Sequence, residues 1–319
     1  MTINLEDRYL GALLGLACGD ALGTSVEFSE RGSFVPLTGI RGGGPFSLKA
    51  GYWTDDTSMA LCLGESLLNK QGFDVRDQMG RYLNWWKWGY LSSTGHCFDI
   101  GMTVRDALRR YQQDGEPFAG RVEPDTAGNG SLMRLAPVVL YYFGDPAQVQ
   151  EFAAQSSRTT HGAPEAVECC LLFARLLELA LQGADVRALL QHGLVTSDLM
   201  QGVQLREPAV LALLNGEWRQ RCIDDIHGSG YCVASLEAVL WCFCHTTNLQ
   251  DALLAAANLG EDADTTAAII GQLAGAYYGV AEIPASWLQV LHMSDEIRSM
   301  ARALHEVAQM RVASRDVAG

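Results

Sequence analysis

The stretch YCVASLEAVLWCFCH, residues 231–245, decides the fold class. It is apolar enough for a buried strand, but it is too long and too rich in Ala and Leu for one, so it reads as a helix. The same pattern runs along nearly the whole chain. In LEDRYLGALLGLACGDALG (5–23), Leu5, Tyr9, Leu13, Leu16 and Ala17 recur at three- and four-residue intervals. Similar periodicity predicts helices over 57–69, 76–90, 101–113, 130–143, 146–158, 163–181, 185–193, 207–215, 230–244, 249–258, 265–280 and 294–313. Convincing alternating strands are missing. Pro and Gly punctuate the helices throughout, and no low-complexity linker or clean repeat marks a boundary. The expectation is one compact, multi-helix, all-α domain over residues 1–319. Gly11, Gly15 and Gly19 early, with Gly271 and Gly275 late, read as close packing of central helices.

The 319 residues are 48% hydrophobic, ample for a sizeable core. The 23 basic and 37 acidic residues leave a formal charge of −14. That argues against a nucleic-acid partner, which would call for a basic patch. A small anionic ligand stays open, because metal ions or helix N-termini can supply local positive potential. The nine cysteines are odd in number and form no CxxC pair, so they read as reduced, mostly buried thiols. Cys242, Cys244 and His245 would suggest zinc, but no second pair stands at finger-like spacing. Glu6 and Asp7 stand where a secretory leader would be basic, and no run reaches the roughly 18 apolar residues of a membrane span. The expectation is a soluble cytoplasmic protein with no membrane partner, favoured as a monomer.

In GYWTDDTSMALCLGESLL (51–68), Thr54, Asp55 and Asp56 stand together at the mouth of an apolar helical run. One reading is capping: Thr and Asp are favoured N-caps, and acids in a first turn complement the helix dipole. The other makes the three side chains ligands for a hard cation. Much later, ANLGEDADTTAAIIGQLAGAYYG (257–279) repeats the order of loop, carboxylates with threonine, and helix start, with Asp262, Asp264 and Thr265. Capping needs one oxygen acceptor, not several carboxylates that repel one another. If the two helix starts meet, four carboxylates and two hydroxyls converge. That arrangement is poor alone and good around Mg²⁺ or Mn²⁺, and it suits a two-metal centre bridged by a shared carboxylate.

With GLACGDALGTSVEF (15–28), WTDDTSMAL (53–61), GNGSLMRLAP (128–137), RTTHGAPEAVE (158–168) and LGEDADTTAAIIGQLAGAYYG (259–279), the chain resembles the ADP-ribosylglycohydrolase family over most of residues 8–280. The resemblance implies an all-α fold, a binuclear Mg²⁺ or Mn²⁺ centre, and hydrolysis at C1″ of ADP-ribose. It implies Thr54, Asp55, Asp56, Asp262, Asp264 and Thr265 as metal ligands, while Glu261 falls at a non-ligand position. The catalytic candidates are Glu27, Asp56 and Asp99; Asp99 also reads as an N-cap for the helix at 101–113.

Hydrolysis of such a bond passes through an oxocarbenium-like transition state, so the site must hold the ribose, activate water and help the leaving group depart. TAGNGSLMRLAP (126–137) is rich in small residues just before a predicted helix. Its amides at Gly128, Asn129, Gly130, Ser131 and Met133 are candidates to cradle the diphosphate. Arg134 reads either as a phosphate partner or as a pair for a surface acid. His161 reads as a ribose or pyrophosphate contact through the resemblance, or as an ordinary cap. The cluster Trp85, Trp86, Trp88 and Tyr90 reads as core, or as a surface that stacks on adenine or a guanidinium.

The acidic surface favours an ADP-ribosyl-arginine protein substrate over serine-linked, nucleic-acid-linked or O-acetyl conjugates. Reversal of a modification, including one laid down by a toxin, is the first reading. A hydrolase of another nucleoside conjugate and a non-enzymatic binding relative are the alternatives. All six ligand positions hold the expected residue types, which counts against the last. The first helix starts near residue 5, so no long N-terminal arm for occluding a toxin is expected.

Overall fold

Helix α1 (Leu5–Gly23) is apolar on all sides, and a helix of that kind belongs in the middle of a fold. In the computed structural model, which describes residues 3–192 and 202–316, every residue of α1 from Tyr9 to Gly23 is buried. Around it follow α2 (Asp55–Lys70), α3 (Val75–Trp88), α4 (Met102–Asp114), α5 (Ala136–Tyr142), α6 (Pro146–Arg158) and α7 (Pro164–Leu181). The chain continues through α8 (Val186–His192), α9 (Pro208–Asn215), α10 (Cys232–His245), α11 (Leu249–Ala257), α12 (Ala263–Tyr278), α13 (Ala285–Val290) and α14 (Ser294–Asp316). Among the described residues there are isolated bridge pairs and no strand, so the fold is all-α. The stretch at 231–245 is α10, largely buried. No helix among the described residues is long and apolar enough to cross a membrane.

The partner of α1 is α12, buried along Ala263–Ala276. A Cβ on Gly11 would lie 2.1 Å from the Gly275 carbonyl oxygen, one on Gly15 2.3 Å from that of Gly271, and one on Gly19 2.0 Å from that of Ala267. Gly23 extends the seam to Ala263 at 2.4 Å. The helices therefore touch backbone to backbone, and the order of the pairs makes them antiparallel. This close packing carries the C-terminal end of α1 to the N-terminal end of α12. It sets the geometry of everything that follows.

Two expectations shift. The predicted helix at 130–143 begins only at Ala136, with Pro137 in its first turn. A helix running through from 130 would put Pro137 inside it, where it has no N–H to give and clashes with the carbonyl of Met133. The predicted helix at 185–193 is α8, ending at His192; residue 193 lies outside the described residues, as do 1–2 and 317–319 of the expected domain. The short α13 was not anticipated, because six residues carry too little periodicity. All nine cysteines are free; Cys222 is exposed, Cys97 and Cys244 are half-buried, and the rest are buried.

Candidate active site

The end of α1 supplies a buried carboxylate, Asp20, that fixes the start of α2. Its Oδ1 accepts from the Thr54 amide and hydroxyl, each at 2.8 Å. Its Oδ2 accepts from the Thr57 amide at 3.0 Å and hydroxyl at 2.6 Å. Asp20 thus caps a helix other than its own, and both of its oxygens are occupied in doing so. Thr54 sits at the N-cap position of α2 and Asp262 at that of α12, yet neither side chain makes a capping bond. The side chains in these two positions point elsewhere. Thr54 Oγ1 lies 2.8 Å from Asp20 Oδ1, 3.1 Å from Asp56 Oδ2 and 3.2 Å from Asp264 Oδ2. One hydroxyl hydrogen faces three carboxylate oxygens.

The helix starts do meet. Oxygens of Asp20, Asp56 and Asp264 lie within 4.8 Å of one another, and so do oxygens of Glu27, Asp99 and Asp264, so Asp264 joins the two groups. Glu27 comes from the loop after α1. Asp99 comes from the loop before α4 in a left-handed backbone, φ 56°, which is unusual for a residue other than glycine and often marks a functional site. Asp99 does not cap α4: the N-cap is Gly101. Asp56 Oδ1 and Glu27 Oε2 are buried without a hydrogen-bond partner among the described residues.

The carboxyls of Asp20, Glu27, Asp55, Asp56, Asp99, Asp262 and Asp264 all titrate above their ordinary range. Burial is the first cause for each. Neighbouring carboxylates come next for Asp56 (Asp20), Asp264 (Asp99) and Glu27 (Asp264). Asp99 is pushed up to about 8 by burial and by the charges of Asp20 and Asp262. A set of hard oxygens crowded together, two of them buried and unpartnered, fits divalent cations such as Mg²⁺ or Mn²⁺.

A cavity of about 800 Å³ opens over this cluster, within the range of small-molecule sites. Glu27, Asp55, Asp99, Asp262, Asp264 and Thr265 line it; Thr54 and Asp56 lie fully buried beneath. The facing wall holds Gly128, Asn129, Gly130, Met133 and His161. The Asn129 side chain ties this wall to α12, its Nδ2 donating to Asp262 Oδ2 at 2.7 Å. Ser131 is withdrawn, its hydroxyl accepting from Ser157 Oγ at 2.9 Å and Cys170 Sγ at 3.3 Å.

The expected diphosphate cradle is only partly used up: the amides of Gly130 and Ser131 have no hydrogen-bond partner among the described residues. The amides of Gly128 and Asn129 donate to Thr126 and Gly230, and those of Leu132 and Met133 to the Asn129 carbonyl. The helix start proper, Ala136 N, donates to Gln272 Oε1 at 2.7 Å. Gly128 and Gly130 are small for another reason: a Cβ on Gly130 would lie 2.8 Å from His161 Cε1, and one on Gly128 3.2 Å from His161 Nε2. The imidazole occupies the space over the glycines.

Neither sequence reading of Arg134 holds. The residue is fully buried, bonded to carbonyl and hydroxyl oxygens, with its Cζ 4.8 Å from the centre of the Tyr82 ring. The tryptophan cluster is also away from the site. Trp85 is core, Trp88 is 77% exposed, Tyr90 donates to Glu65, and none of them lines the cavity.

The aromatic at the mouth is Phe28, 68% exposed and edge-on to Phe46 at 6.4 Å. Its left-handed backbone is held by its amide, which donates to the Glu261 carbonyl at 2.7 Å. Sequence reasoning missed Asp20, although an acid inside an apolar, glycine-rich helix signals a need for distant donors. It also missed Ser229 and Gly230, whose Gly-Ser-Gly setting at 228–230 was the available sign.

An all-α fold with two helix starts converging on a carboxylate cluster beneath a ligand-sized cavity is the frame of a hydrolase site. Residues 1–313 match the ADP-ribosylglycohydrolase family, and the chain belongs to it. It is 43% identical over 303 residues to ADP-ribosylarginine hydrolase Tri1 of Pseudomonas putida (strain GB-1), covering 95% of this chain and 79% of that one. It is 36% identical over 313 residues to ADP-ribosyl-(dinitrogen reductase) glycohydrolase of Rhodospirillum rubrum, covering 96% and 98%. A solved structure described as an ADP-ribosylglycohydrolase-related protein complex superimposes with a TM-score of 0.83 at 43% identity, over 96% of this chain and 99% of that one. The protein is accordingly an enzyme that hydrolyses glycosidic bonds of ADP-ribosyl conjugates.

Proposed function

We propose that the enzyme removes ADP-ribose from ADP-ribosyl-arginine on protein, using two divalent cations, Mg²⁺ or Mn²⁺. The observation that carries this reading is the pair of buried, unpartnered oxygens, Asp56 Oδ1 and Glu27 Oε2, in two carboxylate groups joined by Asp264. Thr54, Asp55, Asp56, Asp262, Asp264 and Thr265 would hold the cations. Asp20 is left out, because its four hydrogen bonds orient α2. Bound there, the cations would chelate the ribose hydroxyls and make water more acidic.

The chain's own residues do the rest. Asp99 and Glu27 reach the reacting centre from loops, and Asp99, ionised once bound cations offset the neighbouring carboxylates, takes the proton from the attacking water. The water oxygen bonds to C1″, the C1″–N bond breaks, and the proton goes to the departing guanidine. Phe28 at the mouth offers its ring face to that guanidinium. The similarity to an ADP-ribosylarginine hydrolase supports the acceptor. Such an activity would reverse mono-ADP-ribosylation, toxin-inflicted modification included, and the nine free thiols suit a reducing cytoplasm.

The test is release of ADP-ribose from arginine-ADP-ribosylated protein with Mg²⁺, with Mn²⁺ and with EDTA. Release that EDTA abolishes is the expected result. Release that persists in EDTA would remove the cations from the mechanism, and no release by metal-loaded enzyme would move the acceptor to serine, nucleic acid or a small molecule.

A further inference from the structure

Behind the cavity wall, the buried guanidinium of Arg134 has no carboxylate within ion-pairing distance among the described residues. A buried charge without a counter-charge is costly, and an apolar residue of similar volume would fill the space more cheaply. What the guanidinium has instead is a set of oxygens. Nη1 donates to the Gly130 carbonyl at 2.9 Å, and Nη2 donates to Thr160 Oγ1 at 2.7 Å, with longer bonds of 3.4 Å to Thr159 Oγ1 and the Ser156 carbonyl. Thr160 Oγ1 in turn lies 2.8 Å from His161 Nδ1.

The direction of this chain follows from its first member. Arginine only donates, so Thr160 accepts from it and keeps its own hydrogen to give. Among the described residues, His161 Nδ1 is the acceptor within its reach. An imidazole that accepts at Nδ1 carries its proton at Nε2. Nε2 is the atom that stands over the glycine wall, 3.2 Å from the Cβ positions of both Gly128 and Gly130, on a ring that lines the cavity.

We propose that Arg134, acting through Thr160, locks His161 in the Nε2–H tautomer and makes it a neutral donor aimed into the cavity at an oxygen of the ADP-ribosyl group. This rests on reading the cavity as the ADP-ribose site. Burial, then the Arg134 charge, hold the imidazole down at about 3, so the ring stays neutral at working pH. A neutral donor fixes orientation without adding charge. Arg134 and Thr160 are positioning residues in this scheme, and the same guanidinium also holds the Gly130 carbonyl on the far side of the wall.

The experiment is ¹⁵N NMR of the ring nitrogens in selectively histidine-labelled protein at pH 7, with the His161 signals assigned by their loss in His161→Gln. Wild type should show a protonated Nε2 and a bare Nδ1. Thr160→Val removes the hydroxyl at nearly constant shape and should give a tautomer mixture with about tenfold weaker ADP-ribose binding by calorimetry, while Thr160→Ser restores both. A proton at Nδ1 in wild type, or a Thr160→Val protein with unchanged tautomer and affinity, would overturn the relay. Wild type that shows the tautomer and its Thr160 dependence but does not bind ADP-ribose would uphold the relay and overturn the reading of the cavity.

Discussion

Asp20 shows how much one side chain can organise. It answers two buried amides and two buried hydroxyls at the start of α2. Asp20→Ala would leave the Thr54 amide and the Thr57 amide and hydroxyl without acceptors, while the Thr54 hydroxyl could still reach Asp56 and Asp264, and each unmet buried group costs about 1–3 kcal/mol. A loss of about 3–5 kcal/mol is expected in urea denaturation of the EDTA-treated protein, with Asp20→Asn falling between, since it keeps one acceptor oxygen. Carrying out the measurement without metal separates this capping role from cation binding. A loss below about 1 kcal/mol would mean that water or a backbone shift satisfies the Thr54 and Thr57 amides. The ligand-type residues were legible in the sequence because two acid-and-threonine stretches share one pattern. Asp20 and Arg134 were not, because their partners lie on other elements and nothing nearby in the chain names them.

At the scale of elements, the seam between α1 and α12 is the decisive contact. Gly19→Ala would place a methyl 2.0 Å from the Ala267 carbonyl oxygen, a backbone atom that cannot rotate away. Overpacking of this kind costs about 1–3 kcal/mol or more. Gly80, inside α3 with no atom within 4 Å of its Cβ position, makes the control. Gly80→Ala should stabilise by about 0.5–1 kcal/mol, because alanine loses less backbone entropy in a helix. Thermal melts of the two variants should therefore move in opposite directions. Equal shifts would mean that glycine matters in α1 for helix propensity and not for close approach. Helix existence was readable from periodicity nearly everywhere, α10 included. The start of α5 was misplaced because Pro137 breaks a pattern whose apolar spacing continues through it.

For the molecule as a whole, the acidic cluster ties stability to pH. Unfolded aspartates and glutamates titrate near 4, whereas the seven cluster carboxyls keep their protons to higher pH in the fold, Asp99 to about 8. Between those limits the folded state binds more protons than the unfolded one, so stability falls as pH rises. Each proton retained contributes about 1.4 kcal/mol per pH unit. His161, held down at about 3, has the opposite sign but acts only below its ordinary 6.5. Raised thiols such as Cys18 share the carboxyl sign only as pH nears their unfolded value. EDTA-treated protein should therefore melt at lower temperature at pH 7.5 than at pH 6.5, and Mg²⁺ should recover more of the loss at the higher pH. A flat or rising melting temperature in EDTA would show that the cluster is already ionised and neutralised by other means.

Apolar periodicity and side-chain chemistry are local properties, so the helical class, most of the helices and the kinds of atoms at the site could be read along the chain. Which of those atoms meet depends on how distant elements pack. Backbone contact between α1 and α12 brings Asp20 to the start of α2 and beside Asp264, and turns two apparent caps into one carboxylate cluster. The same packing buries Arg134 behind the cavity wall and gives the glycine loop to the His161 ring. These are contacts between residues far apart in the chain, and close packing admits them only where the small side chains let the backbones approach.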